Sequence, residues 1–311
     1  MKIEQAVVTY VGYKQSLGMR FASQARMLRS FSKSLGSIEV DRIGPESVRS
    51  FLDGNGSLTR NWHCKFSTLK DFYSFCLARE YVSSVPLPTK EPRCPQTFTP
   101  YIYSEDEIRR LLQAAAGRAA CRIDALTSRT MLLLLYAAGL RISEALNLNL
   151  ADVDLTDRVL YVRRSKFYRT RLVPIGTDLT QVLHEYAQQR YKRSPLDSNA
   201  PFLLTSRGDR ILRAGAEQAF GWMRTQAKVR RHDGGRYQPR LHDLRHTAAV
   251  TRLVRWYREG VDVQYLLPQL ATYLGHVHIS GTQCYLSMTP ELLQQASARF
   301  EQFALGEASH A

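Results

Sequence analysis

The chain has 311 residues, enough for two domains of ordinary size, and its hydrophobic (44%) and charged (23%) fractions are typical of a globular protein. Lysine and arginine number 43 against 28 aspartates and glutamates, so the formal charge of +15 predicts a polyanionic partner, either nucleic acid or an anionic membrane surface. The longest apolar run, at residues 131–140, has about half the length of a membrane span and the N-terminus has no apolar signal core, which favours nucleic acid.

The excess of positive charge extends over the whole chain. Residues 1–100 contain 14 basic and 8 acidic residues, and residues 101–311 contain 29 and 20, so both parts could contact a phosphate backbone. The five cysteines are odd in number and show no C-x-x-C pair, which predicts reduced thiols in a cytoplasmic protein. With a nucleic acid as the partner, that protein would be associated with the nucleoid.

Residues 1–84 predict a small bundle of about four helices. Apolar residues recur at helical spacing over residues 3–17 and 21–35, a Gly-Pro pair begins a third helix at residues 44–53, and residues 57–80 indicate a longer fourth helix. This region is the first predicted domain.

The fourth helix carries basic residues between aromatic ones, namely Arg60, Lys65 and Lys70. Such a face could lie along DNA, or it could be an ordinary solvated helix face, and the sequence leaves both interpretations open.

Residues 85–100 contain five prolines, which exclude a helix or a central strand and predict an extended linker. A second domain is therefore expected at residues 101–311. It begins with the capping-box pattern Ser104-x-x-Glu107, and residues 131–138 are apolar all round, which predicts a buried helix.

The residue pattern then changes to two short β-rich runs, at residues 159–162 and 172–175, joined by a basic polar segment. They predict two strands of a small sheet with an exposed loop. Helices are expected again from residue 214, ending in a helix at residues 290–303 with Thr289 as its N-cap.

Three stretches contain residues suited to chemistry: Arg141 within Gly-Leu-Arg-Ile-Ser-Glu, the run His-Asp-Leu-Arg-His-Thr at residues 242–247, and Leu-Gly-His followed nine residues later by Tyr285. Each has an ordinary interpretation taken singly, as a surface arginine or a packed tyrosine. His242 and His246 stand four apart like zinc ligands, but the H-E-x-x-H glutamate is absent and an arginine lies between them. No metal site is predicted.

Together and in this order, with a lysine in the hairpin between the first two, these motifs resemble the tyrosine recombinase (phage integrase) family over about residues 101–303. The resemblance implies a mainly α-helical fold with a small antiparallel β-sheet in the catalytic domain. It also implies that the helical bundle is a core-binding, SAM-like DNA-binding domain, and that the two domains close on duplex DNA as a clamp.

The resemblance assigns a role to each matching residue. Arg141 matches the first catalytic arginine, His242 and Arg245 match the H-x-x-R box, His276 matches the position held by His or Trp, and Tyr285 matches the nucleophile. The product would be a covalent 3′-phosphotyrosyl bond, formed without metal or nucleotide cofactor.

Lys166 is the best match for the hairpin lysine, although the segment reads Arg-Ser-Lys-Phe-Tyr where the family has a Gly-Lys-Gly-type turn. A second departure is the longer connection at residues 255–269, which makes the chain look more like recombinases of transposons and other mobile elements.

The chemistry accounts for the residue types. A tyrosine with a pKa of about 10 is almost fully protonated at neutral pH, so it needs a proton acceptor, and His242 is the predicted one. Arg141 and Arg245 can grip phosphate oxygens and stabilise the charge that builds on them. Lys166 is the predicted general acid for the leaving 5′-oxygen.

The family resemblance further implies double-stranded DNA as the partner and a homotetramer on two DNA sites, with or without related recombinases. The segment after Tyr285 would then dock on a neighbouring subunit, although its apolar face is equally consistent with packing on its own domain. Two alternatives stay open. A type IB topoisomerase would relax plasmid that lacks any recombination site, and a catalytically silent DNA-binding regulator would bind its site without ever forming a covalent adduct.

Overall fold

The computed structural model describes residues 1–54, 58–93, 99–117, 122–163, 170–192, 197–235, 237–287, 292–294, 297–298 and 300–301. It contains two compact units, Met1–Phe98 and Thr99–Ala311. Helices account for most of the described residues in both units. None of the described helices is long and apolar enough to cross a membrane.

The first unit consists of four helices around one core. They are α1 (Ile3–Ser16), α2 (Ala22–Leu35), α3 (Pro45–Asp53) and α4 (Arg60–Ala78). The core is rich in aromatic rings, and the ring of Tyr10 contacts those of Phe21, Phe72 and Phe75 at centroid distances of 5.0 to 5.6 Å. The predicted four-helix bundle is therefore confirmed, with bounds that differ by a few residues.

The second unit is helical with one small sheet. Its helices are α5 (Glu105–Ala116), α6 (Ala125–Tyr136), α7 (Ile142–Asn147), α8 (Thr177–Tyr191), α9 (Arg213–Gln226), α10 (Asp243–Arg258), α11 (Val263–Leu274) and α12 (Ser280–Gln283). The capping box that precedes α5 is confirmed, because Glu107 N–H donates to Ser104 Oγ (3.2 Å) and Ser104 N–H to Glu107 Oε2 (2.9 Å). The predicted apolar helix is α6, with its apolar residues buried in the main core.

The sheet has three antiparallel strands in the order β1-β2-β3: β1 (Val153–Asp154), β2 (Val159–Val162) and β3 (Arg171–Pro174). Leu160 pairs with Val173, and both side chains enter the core. The two predicted strands are confirmed, the second beginning one residue earlier. Strand β1 was not predicted, because two residues are too few to show an alternating pattern.

The turn between α6 and α7 brings Arg141 to the core of this unit. Gly139 has φ +60°, and a Cβ there would lie 3.0 Å from Leu274 Cδ2 at the end of α11. Glycine therefore permits both the left-handed backbone and the close approach of the two elements.

The described parts of the predicted terminal helix, residues 292–294, 297–298 and 300–301, are helical. Its predicted N-cap Thr289, its last residue Phe303 and the hairpin residue Lys166 lie outside the described residues.

Replacing Ser104 with Ala should lower the free energy of unfolding of the second unit by about 1 kcal/mol, because the Glu107 N–H loses its acceptor. Scanning calorimetry of the full chain measures this change. Gln113→Ala, at an exposed position of the same helix, should change it by less than about 0.5 kcal/mol. Equal effects of the two variants would contradict the capping role.

Candidate active site

Four elements of the second unit bring the predicted residues to one place. Arg141 is at the N-cap of α7, His242 at the N-cap of α10 with Arg245 on its first turn, His276 just after α11, and Tyr285 in the single-turn 3₁₀ helix after α12. Contacts among these residues, given below, define one cleft. Five of the six predicted catalytic residues are therefore close together in the structure, and the sixth, Lys166, lies outside the described residues.

The Arg141 guanidinium is held by two acceptors. Its Nη1 donates to Glu144 Oε1 (2.7 Å) and its Nη2 to the carbonyl of Gly275 (2.7 Å). The backbone N–H of Arg141 donates to the other oxygen of Glu144 (2.9 Å). The side chain of Arg141 keeps 22% of its exposure, so an anion from solvent can reach it.

Glu144 is the buried carboxylate of the cleft, with a side chain only 5% exposed. Arg171, on β3, binds it through two parallel hydrogen bonds of 2.9 and 2.8 Å. A third arginine, Arg245, lies 3.8 Å away. Burial by itself would raise the pKa of Glu144, but the hydrogen bond and charge of Arg171, with those of Arg141, outweigh it and lower the pKa from 4.5 to about 2.

Arg245 is 2% exposed, and backbone carbonyls fix the plane of its guanidinium. Its Nη1 donates to the carbonyl of Gly139 (2.6 Å), and its Nη2 donates to the carbonyl of Leu274 and contacts His276 Nε2 at 3.2 Å. Burial, and then the charge of Arg141, lower the pKa of Arg245 to about 10. At neutral pH it still carries its charge, in a fixed orientation.

The contacts of His276 define its tautomer. An arginine N–H can only donate, so Nε2 of His276 accepts from Arg245 and the ring proton is on Nδ1. Nδ1 then donates to Thr282 Oγ1 (2.7 Å). His276 is thus a neutral imidazole with both nitrogens engaged, and its ring stacks 6.0 Å from that of Tyr285.

Tyr285 is 2% exposed, and its hydroxyl lies 3.1 Å from Nδ1 of His246. Burial raises the pKa of Tyr285 to about 12, although the charges of Arg245 and Arg141 oppose the rise. The phenol is therefore protonated at neutral pH and donates its hydrogen to His246.

His242, the predicted proton acceptor, makes no side-chain hydrogen bond within the described part of the chain. Its ring meets that of His246 edge to face, at a centroid distance of 4.9 Å. The hydrogen bond to the Tyr285 hydroxyl that the sequence analysis expected of His242 is made by His246, one helical turn later.

All three histidines of the cleft are shifted toward the neutral form. Burial, followed by nearby cations or a neighbouring histidine, lowers the pKa from 6.5 to about 4 for His242, about 3 for His246 and about 4 for His276. The cleft thus combines the guanidinium groups of Arg141, Arg171 and Arg245 with the Glu144 carboxylate and neutral imidazoles, and this excess of positive charge suits a phosphate.

Three residues of the cleft were not predicted from the sequence, namely Glu144, Arg171 and His246. A signal existed for two of them. Glu144 stands at the third position after Arg141, where an N-terminal helical turn favours a carboxylate, and His246 follows His242 at the i+4 spacing of one helix face. Arg171 had no such signal, because its partner is 27 residues distant in sequence.

The basic residues of α4 in the first unit have different surroundings. Arg60 and Lys70 are exposed. Lys65 donates from Nζ to the carbonyl of Phe51 (2.6 Å) and lies 4.5 Å from the centroid of the Phe51 ring, so it ties α4 to the end of α3. A DNA contact by these three residues stays a prediction.

Within the described residues, no three His, Cys, Asp or Glu side chains are grouped as a metal ion would require.

Comparison with known proteins gives one consistent result. The phage integrase family matches residues 102–291. The chain is 33% identical over 303 residues to the putative integrase/recombinase y4rB of Sinorhizobium fredii, covering 96% of both chains, and 30% identical over 245 residues to tyrosine recombinase XerA of Pyrococcus horikoshii, covering 79% and 75%. Among solved structures, the Tn1549 transposon integrase in complex with a circular intermediate DNA has a TM-score of 0.71 at 16% identity, covering 97% of this chain and 99% of that one. A lambda integrase dimer bound to a core site has a TM-score of 0.66 at 15% identity, covering 90% and 97%.

Arg171→Leu should lower the free energy of unfolding of the second unit by about 3–5 kcal/mol, because Glu144 would remain buried without its bidentate partner. Scanning calorimetry of the full chain measures the loss. The neighbouring Leu172 is 57% exposed, and Leu172→Ala should cost less than about 0.5 kcal/mol. A melting curve of Arg171→Leu like that of the wild type would show that Glu144 does not depend on Arg171.

The three histidines should make stability depend on pH. The unfolded chain binds protons at these positions as the pH falls below 6.5, whereas the folded state keeps them neutral down to about 4. Their contribution is therefore complete above pH 6.5 and is lost as the pH falls from 6.5 toward 4. Glu144 contributes in a separate window, with its stabilisation lost only as the pH falls from 4.5 toward about 2.

Melting temperatures between about pH 7.5 and pH 5 test this dependence. His246→Asn should flatten the fall, and the same change at the exposed His184 should leave it unaltered. An unchanged slope in His246→Asn would contradict the assignment.

Proposed function

This chain belongs to the phage integrase family and is a site-specific tyrosine recombinase, and we propose that it cuts and rejoins DNA through a covalent bond between Tyr285 and a 3′-phosphate. One observation carries the proposal. The hydroxyl of Tyr285, two fixed arginines and a neutral His276 converge in one cleft of the second unit.

The two arginines bind the scissile phosphate. Arg141 is open to solvent at one side, and Arg245 is buried with its plane fixed by two carbonyls. Negative charge builds on the non-bridging oxygens in the pentavalent transition state, so these preorganised cations stabilise it more than they stabilise the bound substrate. Glu144 holds Arg141 without neutralising the cleft, because Arg171 balances its charge.

The reaction proceeds in two exchanges. Tyr285 Oη attacks the phosphorus and the 5′-oxygen leaves as a hydroxyl, with Lys166 as the general acid that supplies its proton. The phosphotyrosyl bond preserves the energy of the broken linkage. A 5′-hydroxyl of a second strand then attacks this bond and releases the tyrosine. One phosphodiester bond is broken and one is formed, so the reaction consumes no nucleotide.

Duplex DNA is the partner, and the positive charge of both halves of the chain supports this. Each unit contacts the duplex, with Arg60 and Lys70 of α4 in the first unit on the phosphate backbone. Lambda integrase, which shares this fold, is described as a tetramer bound to a Holliday junction. A homotetramer on two DNA sites is the corresponding assembly for this chain.

A nicked suicide substrate tests the nucleophile. The duplexes would be selected from a randomised pool by their binding to the chain, then nicked so that the released 5′ end diffuses away. The wild type should form an adduct that resists SDS, and Tyr285→Phe should form none. Tyr265→Phe, which alters a tyrosine that is 71% exposed on α11, should behave as the wild type. Arg245→Ala should slow adduct formation by about 10²–10³ fold.

An adduct that survives Tyr285→Phe would identify a different nucleophile. Tight site-specific binding by the wild type with no adduct would favour a silent DNA-binding regulator, and relaxation of plasmid without a selected site would favour a topoisomerase.

A further inference from the structure

The geometry points to His246, and not His242, as the residue that accepts the phenolic proton of Tyr285 and returns it when the DNA is rejoined. This role rests on the proposed function, because it concerns the proton of the same nucleophile.

The first observation is the contact itself. His246 Nδ1 lies 3.1 Å from the Tyr285 hydroxyl, within the range of a direct proton transfer, and the two rings have centroids 5.6 Å apart. The turn of α10 that carries His246 is anchored on both sides. Asp243 accepts from the N–H of Arg240 (2.8 Å), and Thr247 Oγ1 accepts from the N–H of Tyr103 (3.0 Å). The imidazole is therefore held at the hydroxyl by a rigid element.

The second observation is the protonation state. The raised pKa of Tyr285 keeps the hydrogen on its oxygen, so Nδ1 of His246 must be the acceptor and its ring proton is on Nε2. Burial, and then the neighbouring His242, Arg245, Arg240 and His276, lower the pKa of His246. The residue is therefore neutral with Nδ1 unprotonated, and the negative charge of a phosphate in the cleft raises its basicity.

The third observation concerns the other two histidines. His276 already uses both ring nitrogens, one on Arg245 and one on Thr282. His242 meets the ring of His246 edge to face and, within the described residues, makes no side-chain hydrogen bond to Tyr285. Its ring is therefore available to a phosphate oxygen, whereas His246 is already on the nucleophile.

The proton and charge balance follows from these positions. In cleavage the Oη–P bond forms and the P–O5′ bond breaks, the phenolic proton passes to Nδ1 of His246, and the 5′-oxygen takes a proton from Lys166. The imidazolium is disfavoured beside the guanidinium groups of Arg245 and Arg240, but the dianionic transition state offsets its charge. In ligation every step reverses, and Oη recovers its proton from Nδ1.

Matched asparagine variants provide the test. The amide of His246→Asn can occupy the place of Nδ1 but cannot take a proton, and His242→Asn makes the same change one turn earlier. On the suicide substrate, His246→Asn should slow cleavage by about 10²–10⁴ fold, the usual range for loss of a general base. Ligation of a 5′-hydroxyl strand to the preformed adduct should slow by a similar factor, because Oη leaves without its proton.

A leaving group that needs no proton separates proton transfer from positioning. Oligonucleotides that carry a 3′-p-nitrophenyl phosphate are joined to a 5′-hydroxyl strand by protein with Tyr285→Phe, and p-nitrophenolate departs as the anion. Here adding His246→Asn should have little effect, whereas adding His242→Asn should still slow the reaction through its lost phosphate contact. An unchanged rate in this reaction would also show that the His246→Asn protein is folded and binds DNA.

Two outcomes overturn the inference. If His246→Asn slows the p-nitrophenyl reaction as much as it slows cleavage, the role of His246 is structural. If instead the p-nitrophenyl substrate removes the effect of His242→Asn and not that of His246→Asn, His242 is the proton acceptor. Failure of the wild type to form any adduct is a different result, since it would refute the proposed function itself.

Discussion

The cleft depends on the buried carboxylate of Glu144. Arg141 and Arg171 donate to it directly and Arg245 lies 3.8 Å away, so a single negative charge organises three guanidinium groups that would otherwise repel each other in a poorly solvated interior. The carboxylate of Glu144 offsets only part of the positive charge of the three guanidinium groups. The remaining positive charge suits the binding of a phosphodiester. Because Arg171 extends from β3, the same contact attaches the sheet to the helices that carry the remaining residues of the cleft.

The second constraint is that the proton-carrying groups of the cleft are kept neutral. Burial beside fixed cations lowers the pKa of His246 to about 3 and burial raises that of Tyr285 to about 12. A protonated phenol facing a neutral imidazole is a stable pair until a phosphate introduces negative charge. Burial therefore keeps the proton on Tyr285, while burial and the charges of Arg245 and Arg240 keep His246 neutral.

Local sequence signals were sufficient for much of the fold and for part of the site. The helices of the first unit and the capping box before α5 follow from apolar spacing and residue type within a few positions, and both agree with the structure. Strand β1 and the contacts of Arg171 could not be found in this way. A two-residue strand has no pattern of its own, and the partners of Arg171 come from segments 27 and 102 residues distant.

The sequence by itself determined the class of protein and named Arg141, Arg245, His276 and Tyr285, because each stands in a short motif whose order along the chain is readable without coordinates. It could not determine which histidine contacts the hydroxyl of Tyr285. His242 and His246 lie on the same face of α10, and the choice between them depends on where the turn after α12 places the hydroxyl of Tyr285. That position results from the packing of Tyr285 between α10 and α11, which only the tertiary structure decides.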